Sequence, residues 1–189
     1  MKEIKPKECV VCGENFMPFL TTEKVCSLTC ALAYAKSDID KKNAKAWRKE
    51  KKIMKEGLKT HKDYLKDLEK VVNEFIRVRD KDKPCISCGT SAGKYTMSAG
   101  HYFPVGSYGN VRFDEDNIHG QCWFNCNKNQ HGNLAEYTLR LPKRIGQERF
   151  EQLQVRAKQT TLKLSIPEIK EKIEYYRSKI REVKKKAVV

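Results

Sequence analysis

A chain of 189 residues, 39% apolar and 33% charged, has material for one ordinary domain plus a small accessory module, and too little apolar content for one large core. Its 39 basic and 24 acidic residues leave a formal net charge of +15, which favours a polyanionic partner. No opening apolar run is long enough for a signal peptide and no later one for a membrane span, so a soluble cytoplasmic protein is expected. Thiols stay reduced there, so eight cysteines point to metal rather than disulfides.

Residues 1–35 are expected to form a small four-cysteine zinc finger. Cys9-x2-Cys12 and Cys26-x3-Cys30 supply two pairs of thiolates, one on a knuckle turn and one near the first turn of a helix with Ser27 as its N-cap. Four thiolates in tetrahedral array close a structural zinc site and add folding energy that a small core lacks. The finger has no histidine and nothing catalytic is expected of it.

Residues 36–83 read as a basic helical arm of net charge +7, with Gly57 breaking it into two helices. Leu65, Leu68, Val72 and Phe75 recur at helical spacing and give the second helix one apolar stripe. Lys51 and Lys52 are expected to contact phosphates of a polyanionic partner from this arm. Pro84 ends it.

Residues 84–138 hold a second set of thiols, Cys85-x2-Cys88 and Cys122-x3-Cys126, for a second structural zinc. The segment carries net charge −1, against +7 and +9 on its two flanks, an arrangement suited to basic arms that hold a polyanion around a near-neutral site. Thirty-three residues separate the two pairs, and His101, His119 and His131 fall in this stretch and just beyond it. So long a polar, glycine-rich insertion exceeds what a structural finger needs and reads as an active-site loop.

The order of residues here, C-x2-C, a His, Asp116-Asn117-Ile118, then C-x3-C followed by Asn127, resembles the HNH nuclease motif, and its cysteine-flanked form is similar to phage endonuclease VII. The strings VCSLTC, CISCGT, AGHY, VRF, DNIHGQC, HGNLAEY and RIGQERFEQL, spread over nearly the whole chain, resemble the NinG/Rap family of lambdoid phage recombination endonucleases. The resemblance implies an α-rich α+β fold: a zinc finger, a helical arm, a ββα-metal core and C-terminal helices. His101 would close a strand, Asn117 would open the next and Asn127 would start the helix. It also implies cleavage of branched DNA, such as Holliday junctions and D-loops, in the host cytoplasm.

Phosphodiester hydrolysis needs a base for the attacking water and a cation on the phosphate. His101 suits the base, Asn127 offers an oxygen ligand for Mg²⁺ or Mn²⁺, and Asn117 would pin the loop that aims His101. Many members of the HNH group carry Asp or Glu before the first His, whereas Gly100 stands here. The second metal or phosphate contact is therefore open among Asp116, His119, Gln130 and His131. Arg112 and Lys128 are further expected DNA contacts. The alternative is a non-catalytic zinc-dependent DNA-binding or regulatory protein. A near-match to the zinc deaminase signature, His61-x-Asp63 with Pro84-Cys85-x2-Cys88, lacks the required Glu and leaves Cys122 and Cys126 without a purpose.

Residues 139–189 form a basic helical end. Asn133 is expected to cap a short helix stopped by Pro142, and a second helix turns Phe150 and Leu153 inward. A last helix opens on a capping box from Ser165 to Glu168. Its seam of Ile169, Ile173, Tyr176, Ile180 and Val183 fits either the arm near residues 65–79 or a twin helix in a homodimer. Lys184, Lys185 and Lys186 at its end are expected phosphate contacts.

Overall fold

A computed structural model describes residues 5–160 and 163–186. The fold is α-rich α+β, with two small antiparallel sheets among the described residues, and the chain divides into two units, Met1–Lys59 and Thr60–Val189. None of the helices among the described residues is long and apolar enough to cross a membrane.

In the first unit, β1 (Lys7–Glu8) pairs with β2 (Asn15–Phe16). The knuckle between them is closed by Cys9 N–H donating to Glu14 O at 2.9 Å and Gly13 N–H to Cys9 O at 2.9 Å. Gly13 takes φ +78°, which only glycine adopts without strain. Helix α1 (Leu28–Gly57) starts where Ser27 Oγ accepts the Cys30 N–H at 3.2 Å, and it ends at the glycine expected to break the arm. No residue of α1 is buried.

The second unit opens with α2 (His61–Arg79), started by a reciprocal capping box between Thr60 and Asp63. That role accounts for the Asp in the deaminase-like string. Leu68, Val72, Phe75 and Ile76 form the buried stripe of α2. They pack against Ile169, Ile173, Tyr176 and Ile180 of the last helix, α5 (Ile166–Lys186). The α5 seam is thus filled within the chain. Each such side chain contributes about 1.5–3 kcal/mol by leaving water.

Between these helices in sequence lies the hairpin of β3 (Met97–His101) and β4 (Ile118–Cys122), with Met97 opposite Cys122 and His101 opposite Ile118. Ala99 and Ile118 join the α2–α5 core, while Gly100 O accepts the buried Tyr137 hydroxyl at 3.0 Å. Tyr137 belongs to α3 (Leu134–Ile145), which with α4 (Gln147–Ala157) builds a second core of Ile86, Val111, Leu141, Phe150 and Leu153. Helices from both cores therefore press on the hairpin and fix it.

Two local expectations fail. Helix α3 runs through Pro142 to Ile145, because Arg144 Nη2 donates to Pro84 O at 2.9 Å and Ile145 packs on the second core, and these contacts offset the missing N–H. Asn133 occupies the N-cap position but takes a left-handed φ of 43° and makes no capping bond. Its Nδ2 turns instead toward Cys126 Sγ at 4.0 Å.

A buried ionic knot ties the end of α2 to the hairpin. Asp80 accepts from Arg79 Nη2 at 2.7 Å, Lys83 at 3.0 Å and Gly120 N–H at 3.0 Å. Arg79 Nη2 also donates to His119 Nδ1 at 3.1 Å, so His119 carries its proton on Nε2, which donates to Asp116 O at 3.1 Å. Burial alone would raise the Asp80 pKa, but the Arg79 guanidinium and the Gly120 N–H beside it override that and hold the carboxyl well below the usual range. Burial lowers the His119 pKa, so the ring folds neutral. Both groups bind fewer protons folded than unfolded, and stability must therefore fall as pH falls. The His119 contribution is lost on descending below about pH 6.5 and that of Asp80 below about pH 4. Thermal midpoints, recorded with metal content checked at each pH, are expected to drop from pH 7 to 5 and more steeply below 4. His119→Gln should shallow the first limb and leave the second, and a flat wild-type profile would contradict the knot.

Candidate metal and catalytic centre

Two tetrads of sulfur stand in positions that can hold zinc: Cys9, Cys12, Cys26 and Cys30 in the first unit, and Cys85, Cys88, Cys122 and Cys126 in the second. Within each, the ligand atoms lie within 4.8 Å of one another, and none of the eight is disulfide-bonded. Individual Sγ–Sγ distances are 3.5 Å for Cys12–Cys26, 3.9 Å for Cys85–Cys126 and 3.7 Å for Cys88–Cys122. A tetrahedral ion with about 2.3 Å bonds to sulfur requires edges of about 3.8 Å, so both tetrads fit zinc. In the second, burial and the neighbouring Cys88 and Cys85 sulfurs push the Cys126 thiol up to about 12. Four thiolates cannot share this space without a cation, and metal binding must release protons. The knuckle is anchored to β4 by Ile86 N–H donating to Gly120 O at 3.0 Å and Cys122 N–H to Cys85 Sγ at 3.3 Å.

His101 ends β3, half-buried, and its Nε2 lies 3.0 Å from Arg112 O. A carbonyl only accepts, so Nε2 carries the hydrogen and Nδ1 keeps a free lone pair. Burial lowers the pKa of His101, so the ring is neutral at pH 7. Asn117, immediately before β4, is fully buried and spans the intervening loop. Its Oδ1 accepts Phe103 N–H at 2.7 Å, and its Nδ2 donates to Phe103 O at 3.1 Å and to Val111 O at 3.0 Å. Val111 adjoins Arg112, so Asn117 fixes the backbone that carries the acceptor for His101.

After β4 the chain enters a seven-residue π-helical turn, Trp123–Asn129, in place of an α-helix start. Cys122, which ends β4, and Cys126 within the turn are both buried at the tetrad. Asn127 sits in it, and its Nδ2 donates to Ser98 Oγ at 2.8 Å, which leaves the Oδ1 side of the amide for another partner. Ser98 and His101 are three residues apart on β3 and so point to opposite faces of the strand, and no hydrogen bond joins His101 to Asn127 among the described residues.

Gly100 is closed to any side chain. A Cβ there would stand 2.3 Å from Gln121 Oε1 and 3.0 Å from Gln121 Cβ. Gln121 is buried, and its Nε2 donates to Ser87 Oγ at 2.6 Å and to Gly132 O. Its amide thus occupies the space beside position 100, and its Oε1 is buried without a partner. No local pattern in the sequence singled out Gln121, Asp80 or Ser98, because their partners lie far along the chain.

Of the other candidates, Asp116 is held by Arg149 and by Arg156 Nη2 at 3.0 Å, and both ring nitrogens of His119 are engaged in the knot. Gln130 and His131 are exposed just after the π-helical turn. Arg112 pairs with Glu69, stacks 5.1 Å over Phe113 and keeps a buried Nε without a partner. Lys128 lies 5.9 Å over the Phe124 ring. Lys51 and Lys52 are exposed on α1, as are Lys185 and Lys186 at the end of α5, and Lys184 pairs with Glu74 at 3.1 Å.

The family model described as "Bacteriophage Lambda NinG protein" matches residues 1–186. The chain belongs to the NinG family. It is 36% identical to the protein ninG of Escherichia phage 933W over 162 residues, 78% of this chain and 80% of that one. It is 36% identical to ninG of Escherichia phage lambda over 157 residues, 76% of each chain. With ninG of Salmonella phage P22 the identity is 37% over 149 residues, 71% of this chain and 72% of the relative. All eight cysteines, His101, Asn117 and Asn127 lie inside the span matched by the NinG model. No solved structure matches the chain.

Proposed function

We propose that this NinG-family chain is a metal-dependent endonuclease of the HNH type that cuts branched DNA intermediates of phage recombination in the host cytoplasm. The observation that carries the reading is the state of His101: a neutral ring whose Nε2–H is engaged by Arg112 O, leaving Nδ1 as a proton acceptor at the end of a strand. The strand–loop–strand frame, with Asn117 buried across the loop and a sulfur tetrad at its base, supports the same reading. Zinc in the two tetrads is structural.

In this mechanism Nδ1 of His101 takes a proton from water as its oxygen attacks phosphorus, and the phosphorus–oxygen bond to the leaving strand breaks. Arg112 O holds the ring through the attack and stabilises the imidazolium that forms. A Mg²⁺ or Mn²⁺ ion, when bound, supplies positive charge to the phosphate and the leaving oxygen. Asn127, anchored to Ser98 on the opposite face of β3 from His101, would hold it through Oδ1 for a phosphate that passes the end of the strand where His101 stands, with Gln130 and His131 exposed nearby in the chain. The basic arms, through Lys51, Lys52, Lys185 and Lys186, add phosphate contacts without sequence preference.

The ligand role of Asn127 has its own test. Asn127→Ala should need at least about tenfold more Mn²⁺ for half-maximal cleavage, the usual scale for losing an oriented metal contact. Zinc content should be unchanged. An identical Mn²⁺ dependence in wild type and variant would remove Asn127 from the ion site. A protein that binds DNA and never cuts it would leave the non-catalytic binding reading.

A further inference from the structure

The π-helical turn that carries Asn127 also carries two large aromatic rings that stay about half exposed. Trp123 is 49% exposed and Phe124 59% exposed, although they directly follow fully buried β4. Burying a ring of this size typically stabilises a fold by about 1.5–3 kcal/mol, and the two cores of this unit bury Phe75, Tyr137, Phe150 and Tyr176. The turn is held at Cys122 and Cys126, both buried at the tetrad, so the rings are mounted on a fixed base. Trp123 N–H donates to Thr96 O at 2.9 Å, and the preceding Tyr95 is 44% exposed.

The charged residues that flank these rings in the chain have one sign. Lys128 Nζ lies 5.9 Å from the centroid of Phe124, and Lys94 precedes Tyr95. No carboxylate occurs between residues 84 and 113, nor between 117 and 135. An apolar protein partner would be served by the rings alone. Exposed rings interleaved with cations, on chain segments that carry no acid, match the surface of unpaired nucleic acid, where base faces stack on aromatics and phosphates meet ammonium groups.

We propose that Trp123 and Phe124 form a stacking platform for unpaired bases of DNA, so that this face engages the single-stranded or unstacked part of a branch. Duplex DNA offers no free base faces and gains nothing from the platform, and the preference for branched over linear DNA arises here. The inference rests on the DNA-cleavage reading for its setting, but its test does not depend on cleavage.

The full-length chain loaded with zinc is titrated against three fluorescein-labelled DNAs without added Mg²⁺ or Mn²⁺: a 30-nucleotide single strand, a splayed fork with single-stranded arms, and a blunt linear duplex. Trp123→Ala combined with Phe124→Ala should weaken binding to the single strand and the fork by roughly five- to 150-fold per base unstacked, and leave the blunt duplex within about twofold. Trp123→Phe, which keeps a ring, should retain most of the fork affinity, and this conservative variant serves if the double variant fails to keep two zinc ions. The chain has two tryptophans, so Trp47→Phe leaves Trp123 as the sole indole, and its emission should be quenched by the fork and not by the blunt duplex. Equal losses on fork and duplex, unchanged binding to all three DNAs, or indole emission indifferent to the fork would each overturn the platform. Unchanged DNA binding together with loss of a protein contact would assign the rings to a protein partner instead. A wild type that binds the fork through these rings and never cuts would overturn the nuclease reading alone. One that cuts while the double variant binds every DNA normally would overturn the platform alone.

Discussion

Cys122→Ser should leave one zinc per chain where two are expected for wild type, and should abolish cooperative melting of the second unit. The sulfur of Cys122 is a member of the buried tetrad, and its strand is the one on which the knuckle, the Asp80 knot and the α2–α5 core all converge. Structural zinc contributes roughly 10–16 kcal/mol of apparent free energy in small finger peptides, as much as or more than the whole stability of an ordinary domain. A serine oxygen in place of the thiolate weakens that site and leaves three buried thiols with no common cation. Cys9→Ser should also cost one zinc, while the second unit keeps its melting transition, because the first tetrad lies wholly within Met1–Lys59. The measurement is metal content alongside a circular-dichroism melt. Two zinc ions and an unchanged melt in Cys122→Ser would remove zinc as the organiser of the hairpin.

His101→Ala is expected to slow DNA cleavage by about 100- to 10,000-fold, the range for losing a positioned general base. Folding, zinc content and affinity for DNA should stay close to wild type, since among the described residues the ring bonds to Arg112 O alone and lies outside the sulfur tetrad. A base acts in the transition state and adds little to ground-state binding, so the loss should appear in kcat. The pH profile follows from the same geometry. Burial lowers the pKa of His101, so the acid limb of the wild-type rate should lie below the usual imidazole value near 6.5, with a plateau by neutrality. A limb above 7 would assign the titrating group elsewhere.

The sequence carried the local parts of this architecture best. Cysteine spacing exposed both tetrads because two pairs of thiols on short turns leave few other uses for them in a chain rich in charge. The stripes of α2 and α5 were legible because helical spacing alone places Leu68, Val72, Ile169 and Ile173 on one side of their helices. Whether the α5 seam met α2 or a twin was not legible, since both partners offer the same apolar face. Pro142 misled because its local cost was visible and the distant contacts of Arg144 and Ile145 were not. Polar residues with distant partners were the least legible of all. Asp80 meets Gly120, Gln121 meets Ser87 and Asn117 meets Phe103, and these pairings exist only once the hairpin forms. Gly100 shows the same limit: the sequence displayed a missing carboxylate, and only the fold shows that the Gln121 amide fills the space beside it.

The most direct test of the account is a cleavage assay on the zinc-loaded full chain. An end-labelled four-way junction and a linear duplex of the same sequence are incubated with Mg²⁺, and broken strands are mapped on a denaturing gel. The account predicts discrete cuts near the branch, absent without the added divalent ion and absent from the linear duplex under the same conditions. No cut in any DNA with Mg²⁺ or Mn²⁺, or equal cutting by wild type and His101→Ala, would contradict it.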